Sequence, residues 1–341
     1  MTSAAQLLVA ALRDPTSVAA LGPADWTALL TAARAERLIG TLAVRLDARV
    51  VPPAVVRILA DAAEGAAQER RAALWEAEMA RRALGGLAVP VVVLKGTAFV
   101  AAGLDAGRGR AIGDLDILVP RDALPAVERA LIEAGWEWVK ADAYDDDYYR
   151  RWMHELPPLI HRTRDRMIDV HHTILPPTAR PTPDAAALVA DAVPLGLPGE
   201  GGLSILSPAD MIVHAAAHLF ADGDLAGGLR NLWDIDRLLR EYDGDDFWKT
   251  LVARAALHGL SAEVRRAVRL AADLYGTPVP DAWWGRTAVD ALYRRRLLAR
   301  DGWGRQPRPF TRLGFYVRSH WLRMPPAMLA RHLWIKATRP K

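Results

Sequence analysis

Apolar residues recur at three- and four-residue spacing through the first part of the chain. "SVAALGPADWTALLTAARAERLIGTLAVRL" and "PAVVRILADAAEGAAQERRAALWEAEMARRAL" both follow that period. Ala, Leu, Arg and Glu dominate them, and these are strong helix formers. Pro52-Pro53 divides two helices. The texture changes at Val89. "VPVVVLKG" is a β-branched run ending in glycine, which predicts a buried strand and a turn. "TAFVAAGL" fits a short helix, and "DLDILVP" is a second strand closed by Pro120. "RDALPAVERALIEAGWEWV" is a helix ended by Gly135. "LPPLIHRT" and "RMIDVHHTI" form a hairpin with "RDR" as its turn. "LPPTARPTPD" is a proline-rich connector. From Ser207 the helical period returns, opening with a serine cap and a proline at the first helical position.

The pattern predicts an α+β fold: a small mixed β-sheet core flanked by N-terminal and C-terminal helical regions. Its expected divisions are a helical region at 1–87, an α/β core at 88–175, a connector at 176–206, a helical domain at 207–300 and a basic aromatic tail at 301–341. The core reads strand, helix, strand, helix, strand, strand.

Composition narrows the chemistry. The chain has no cysteine, which excludes disulfides, thiolate metal sites and a cysteine nucleophile. Mean hydropathy is +0.03, and no apolar run approaches the length of a membrane span. The first residues lack a basic leader and read as an amphipathic helix, so a cytoplasmic protein is expected. The formal charge of +4 is unevenly spread. Fourteen Lys and Arg stand against two acids from Arg286 to the end, so the body is acidic and the tail basic. Such a tail could meet phosphate-rich partners or an acidic surface, and a terminal helix docked by its Leu and Trp side chains is the preferred reading.

One stretch conflicts with its surroundings. "AIGDLDILV" reads as a buried strand, yet Asp114 and Asp116 stand at its head. Positions i and i+2 of a strand share a face, so the two carboxylates lie side by side. Left alone they repel, so removing one is expected to stabilise the unliganded protein. Mg²⁺ (or Mn²⁺) prefers oxygen ligands and is commonly held by one or two carboxylates with substrate phosphates. Arg110 and Lys95 add cations near the same edge, and Gly96 allows close approach of a phosphate. Asp169, in the middle of a strand-like run, completes a possible trio, unless it is buried against Arg110 or Arg166 instead.

These residues carry a resemblance. "VVVLKGTAF", "RAIGDLDILV" and "MIDVHH" resemble the DNA polymerase β-like nucleotidyltransferase superfamily. More narrowly, they are similar to an uncharacterised bacterial nucleotidyltransferase family. Its members show a strand ending in Leu-Lys-Gly, then Arg-x-x-x-Asp-x-Asp, then a later acid followed by histidine. The likeness covers Val89 to His172, and "LSPADMIVHAAAHLF" and "LRNLWDIDRLL" resemble the family's helical half. It implies transfer of a nucleoside monophosphate from an NTP, ATP foremost, to an unknown acceptor hydroxyl. Asp114 and Asp116 would bind the metals, and Asp169 would complete the site or take the acceptor's proton. Lys95, Gly96 and Arg110 would meet the phosphates. The superfamily's first turn carries Gly-Ser; here Lys95-Gly96-Thr97 stands instead, and Thr97 is the substitute hydroxyl. The alternatives are a toxin/antitoxin-type transferase acting on a protein or tRNA, and a non-catalytic nucleotide-binding scaffold. Nucleic acid is the less favoured partner.

Other features read as structural. His214 and His218 share a helix face, but no third ligand accompanies them, so packing is expected. Asp234 and Asp236 repeat the D-x-D string on a helix, where the two do not share a face. One should pair with Arg230 or Arg237, and the other face the cleft.

Overall fold

The computed structural model describes residues 3–139, 143–196, 202–285 and 287–323. The N-terminal region is helical: α1 (Ala4–Arg13), α2 (Pro23–Ala35), α3 (Ile39–Arg45) and α4 (Pro53–Leu84). Ser3 caps α1 by accepting the Gln6 amide, and the Gln6 side chain accepts the Ser3 amide at 2.8 Å. Pro52-Pro53 sits at the start of α4 as the sequence predicts.

The α/β layer follows: β1 (Val91–Val93), α5 (Lys95–Ala101), β2 (Asp114–Leu118), α6 (Leu124–Glu133), β3 (Trp136–Trp138), α7 (Ala143–Trp152), β4 (Leu159–His161) and β5 (Met167–His171). The hairpin of β4 and β5 forms as expected. Two elements were not legible: the three-residue β3 and the helix α7, whose ten residues carry three consecutive aspartates.

Beyond β5 come α8 (Ala185–Ala190), β6 (Val193–Pro194) and β7 (Leu203–Ile205). The expected connector therefore holds structure, and the sheet does not end at Leu175. β7 pairs parallel with β1, Val91 opposite Leu203 and Val93 opposite Ile205. Strands of two or three residues are too short to show a period, so only pairing defines them. The sheet is mixed, in the order β3-β4-β5-β2-β1-β7-β6.

The chain ends in helices α9 (Pro208–Ala217), α10 (Gly228–Glu241), α11 (Asp245–Leu257), α12 (Ser261–Tyr275), α13 (Ala288–Leu297) and α14 (Pro309–Arg323). Ser207 caps α9, with its hydroxyl accepting the Asp210 amide. α12 ends at Gly276 in the left-handed conformation. One hydrophobic cluster runs through both helical regions and the sheet, joining Leu8, Leu29, Val92, Ile117, Ile212 and Leu238. The expected docking of the tail begins in α14, where Phe315 is buried against Tyr293 and Arg318 donates to the Phe220 carbonyl. Residues 324–341 lie outside the described part. Among the described residues no helix is long and apolar enough to cross a membrane.

One close approach fixes the loop that leads into β2. A Cβ on Gly109 would lie 2.4 Å from the Gly40 carbonyl oxygen, so α3 and the loop meet backbone to backbone. Gly109 also has φ +64°, a region open mainly to glycine.

Candidate active site

The sheet brings the three predicted carboxylates together. β2 and β5 run parallel with Asp116 opposite Asp169. Paired residues of a parallel ladder point to the same face, and Asp114 precedes Asp116 by two positions on that face. One oxygen from each of Asp114, Asp116 and Asp169 lies within 4.8 Å of the others. Burial grades along the group: Asp114 is exposed at the strand mouth, Asp169 is half-buried, and Asp116 is buried.

Asp116 does not stand as one half of a repelling pair. Lys95 donates to its Oδ1 at 2.6 Å, and His171 Nε2 lies 2.9 Å from the same oxygen. Burial works to raise this carboxyl, but Lys95 and His171 overcome it and hold it far below the usual carboxylate range. Lys95 is itself desolvated, yet Asp116, Asp114 and Glu155 hold its ammonium charged. The expectation that removing either acid relieves repulsion therefore fails for Asp116. Lys95 sits at φ +51°, the left-handed turn between β1 and α5, and this turn aims its side chain back at the strand.

Asp169 has the opposite environment. Its Oδ1 is buried with no hydrogen-bond partner among the described residues. Burial first, then the negative charges of Asp116 and Glu155, push its carboxyl up to about 7. It is not buried against Arg110 or Arg166. An orphaned buried oxygen is costly, and each one in a native structure calls for an explanation such as an absent water or ion. Three oxygen donors, one of them orphaned, fit a divalent cation.

His154, Glu155 and His171 form a second group within the same 4.8 Å limit. His171 joins the two groups, since its Nδ1 lies 3.4 Å from Glu155 and its ring stacks on His154 at 5.2 Å. Glu155 belongs to the loop "MHELPP", which carries no pattern that could single it out.

Gly96 is buried, and the room its missing side chain leaves is filled by Arg110. A Cβ there would lie 2.3 Å from Arg110 Nη1. The guanidinium is anchored on α10, with Nη2 3.1 Å from Asp234, and it also donates to the Ala111 carbonyl at 3.2 Å. Thr97 is buried, its hydroxyl has no partner among the described residues, and it is not among the residues that line the cleft. Asp234 accepts from Arg230 as well. Asp236 is buried on Arg237, Arg240 and Thr277, so both acids of the second D-x-D are paired and only Asp234 reaches the cleft.

The cleft is a cavity of about 450 Å³ between the sheet edge and the helices. Lys95, Gly96, Arg110, Asp114 and Asp116 line one side. His214 and His218, expected only to pack, line another. Burial, with Lys95 and His218 nearby, pushes the His214 imidazole well below its ordinary value, so it is neutral. After Ala217 the helix loosens into a π turn, His218–Asp222. Arg37 and Arg300, in the segments that follow α2 and α13, also line the cleft and were not singled out by sequence; Arg230, expected as a partner for the second D-x-D, lines it too.

A family model described as "Uncharacterised nucleotidyltransferase" matches residues 22–276, well over half of the 341 residues. No curated protein matches the chain. The chain belongs to that nucleotidyltransferase family.

Proposed function

We propose that this nucleotidyltransferase moves a nucleoside monophosphate from an NTP, ATP foremost, to an acceptor hydroxyl with release of pyrophosphate. The observation that supports the reading most is the parallel register of β2 and β5. It sets Asp169, with its orphaned oxygen, beside Asp116 and Asp114. Asp114, Asp116 and Asp169 would hold Mg²⁺ or Mn²⁺. When bound, such a cation neutralises charge on the transferring phosphoryl group.

The chain's own groups supply the rest. The acceptor oxygen bonds to the α-phosphorus as the bond to the β-phosphate bridging oxygen breaks. Asp169 either completes the hold on the cation or takes the hydroxyl proton; its carboxyl is pushed up to about 7 in the metal-free protein, and a bound cation would lower it. Lys95 and Arg110 stand at the phosphate edge as cations that offset the departing pyrophosphate. His171 holds Asp116 in place from behind.

The test is calorimetry of ATP, GTP, CTP and UTP with Mg²⁺, followed by a pyrophosphate-release screen against candidate hydroxyl acceptors. Metal-dependent NTP binding that is lost in Asp114→Asn and Asp169→Asn is the expected result. An NTP that binds with no release against any acceptor indicates a nucleotide-binding scaffold. Absence of metal-dependent binding sinks the reading.

A further inference from the structure

The helix α14 has two apolar faces, and only one of them is covered. Phe315 and Ser319 are buried on the body, Phe315 against Tyr293 at 5.0 Å, and Arg318 beside them donates to the Phe220 carbonyl. Each residue turns an α-helix by about 100°, so positions two residues before the packed ones point to the far side. Those positions are apolar and open. Phe310 is 87% exposed, Leu313 57%, Val317 52% and Trp321 45%. Spacings of three, four and four residues set them on one stripe along the helix. Singly exposed apolar residues are ordinary, but a continuous stripe marks an interaction surface.

The flank of the stripe is positive. Arg305, Arg308 and Arg312 are exposed and form no ion pair among the described residues. Arg308 donates only to a neutral acceptor, the Arg295 carbonyl, at 2.8 Å. The Arg180 guanidinium stands over the Trp321 ring at 5.6 Å. From Gly302 to Lys341 the chain holds nine Lys and Arg and no acid. A second copy of this face would therefore meet it with like charge. A nucleic acid would take the arginines and stack on the aromatic rings, but would leave Leu313 and Val317 without a partner. An anionic bilayer matches both halves of the pattern. Its headgroup–acyl boundary takes Phe, Trp, Leu and Val, and its headgroups take the arginines. We propose that α14 is a membrane-surface helix that seats this protein on an anionic lipid bilayer, with Phe310, Leu313, Val317 and Trp321 inserted. The packed face around Phe315 ties the helix to the body, so the whole chain is held at the surface. The inference does not depend on the reaction in the cleft.

The test is flotation of the full chain with vesicles of phosphatidylcholine alone and of an equal mixture with phosphatidylglycerol. Wild type is expected to float with the mixed vesicles, far less with phosphatidylcholine, and to be released as salt rises. Phe310→Ser combined with Leu313→Ser should weaken binding about tenfold or more, since two apolar side chains no longer enter the boundary. Arg312→Gln should weaken it about fivefold at low salt. Both changes lie at exposed positions, so the urea midpoint should stay at the wild-type value. Val252→Ser, an exposed apolar position on α11, should leave flotation unchanged. No flotation of wild type with the mixed vesicles overturns the proposal, as does wild-type flotation by the double serine variant. Binding of single-stranded RNA, or a dimer in sedimentation, that the double serine variant loses while vesicles are left unbound also overturns it and assigns the stripe to that partner.

Discussion

Asp116→Asn separates a structural carboxylate from a merely crowded one. The side chain keeps its shape and loses its charge. In the folded protein that charge faces Lys95 at 2.6 Å and His171 at 2.9 Å. A hydrogen bond to a charged group contributes about 1.5–3 kcal/mol, and the asparagine oxygen can retain part of the Lys95 contact. Lys95 is about a quarter exposed and regains some hydration, which lowers the cost. Against this, Asp169 loses a repelling neighbour, and each unit by which its carboxyl falls returns about 1.4 kcal/mol. The balance is a net loss of about 2 kcal/mol at neutral pH, with a range of roughly 1–3. Asp114→Asn, at the exposed strand mouth, should stay within about 0.5 kcal/mol of wild type. The assay is urea unfolding of the metal-free protein, with the two variants compared at equal slope. If Asp116→Asn is as stable as wild type, or if Asp114→Asn loses just as much, Lys95 and His171 are not anchoring Asp116 and the electrostatic account of the site is wrong.

Gly96→Ala puts a methyl group where Arg110 lies, 2.3 Å from Nη1, so the guanidinium must leave Asp234. The helix gains up to about 1 kcal/mol from alanine but loses a charge-assisted contact, so stability should change little while NTP affinity falls; unaltered affinity by calorimetry would free Arg110 from its phosphate role. Gly109→Ala meets the backbone of Gly40 at 2.4 Å and cannot relieve the clash by rotating a side chain, so a loss of about 3 kcal/mol or more is expected in denaturant unfolding. Asp210 is buried on Arg254 and His258, and although burial opposes it, His258, Arg254 and Ser207 hold its carboxyl below the ordinary value. A folded-state value below the unfolded one gives stability that is full above about pH 4 and is lost as pH falls further, so Asp210→Asn should flatten that acid limb of the unfolding curve while costing about 3 kcal/mol near neutrality.

The sequence alone determined the elements whose pattern is local. The long helices α4, α10 and α12, the strand that carries Asp114 and Asp116, and the β4–β5 hairpin all follow from period and from breaker and turn residues read within a window of a few turns. Asp114, Asp116 and Asp169 were legible for the same reason, because carboxylates inside apolar strand runs contradict their neighbours. What only the tertiary structure decided is pairing across the chain. The placement of Asp169 opposite Asp116 depends on strand register, which sequence spacing does not encode. β7 exists as a strand only through its ladders, parallel to β1 with Val93 opposite Ile205 and antiparallel to β6 with Val193 opposite Ile205. The same holds for charge. Whether Lys95 points to a phosphate or to Asp116, and whether Gly96 leaves space or receives Arg110, depends on which side chains long loops return to the same point. Local propensity is set by neighbours along the backbone, whereas a pKa or an orphaned oxygen is set by neighbours in space.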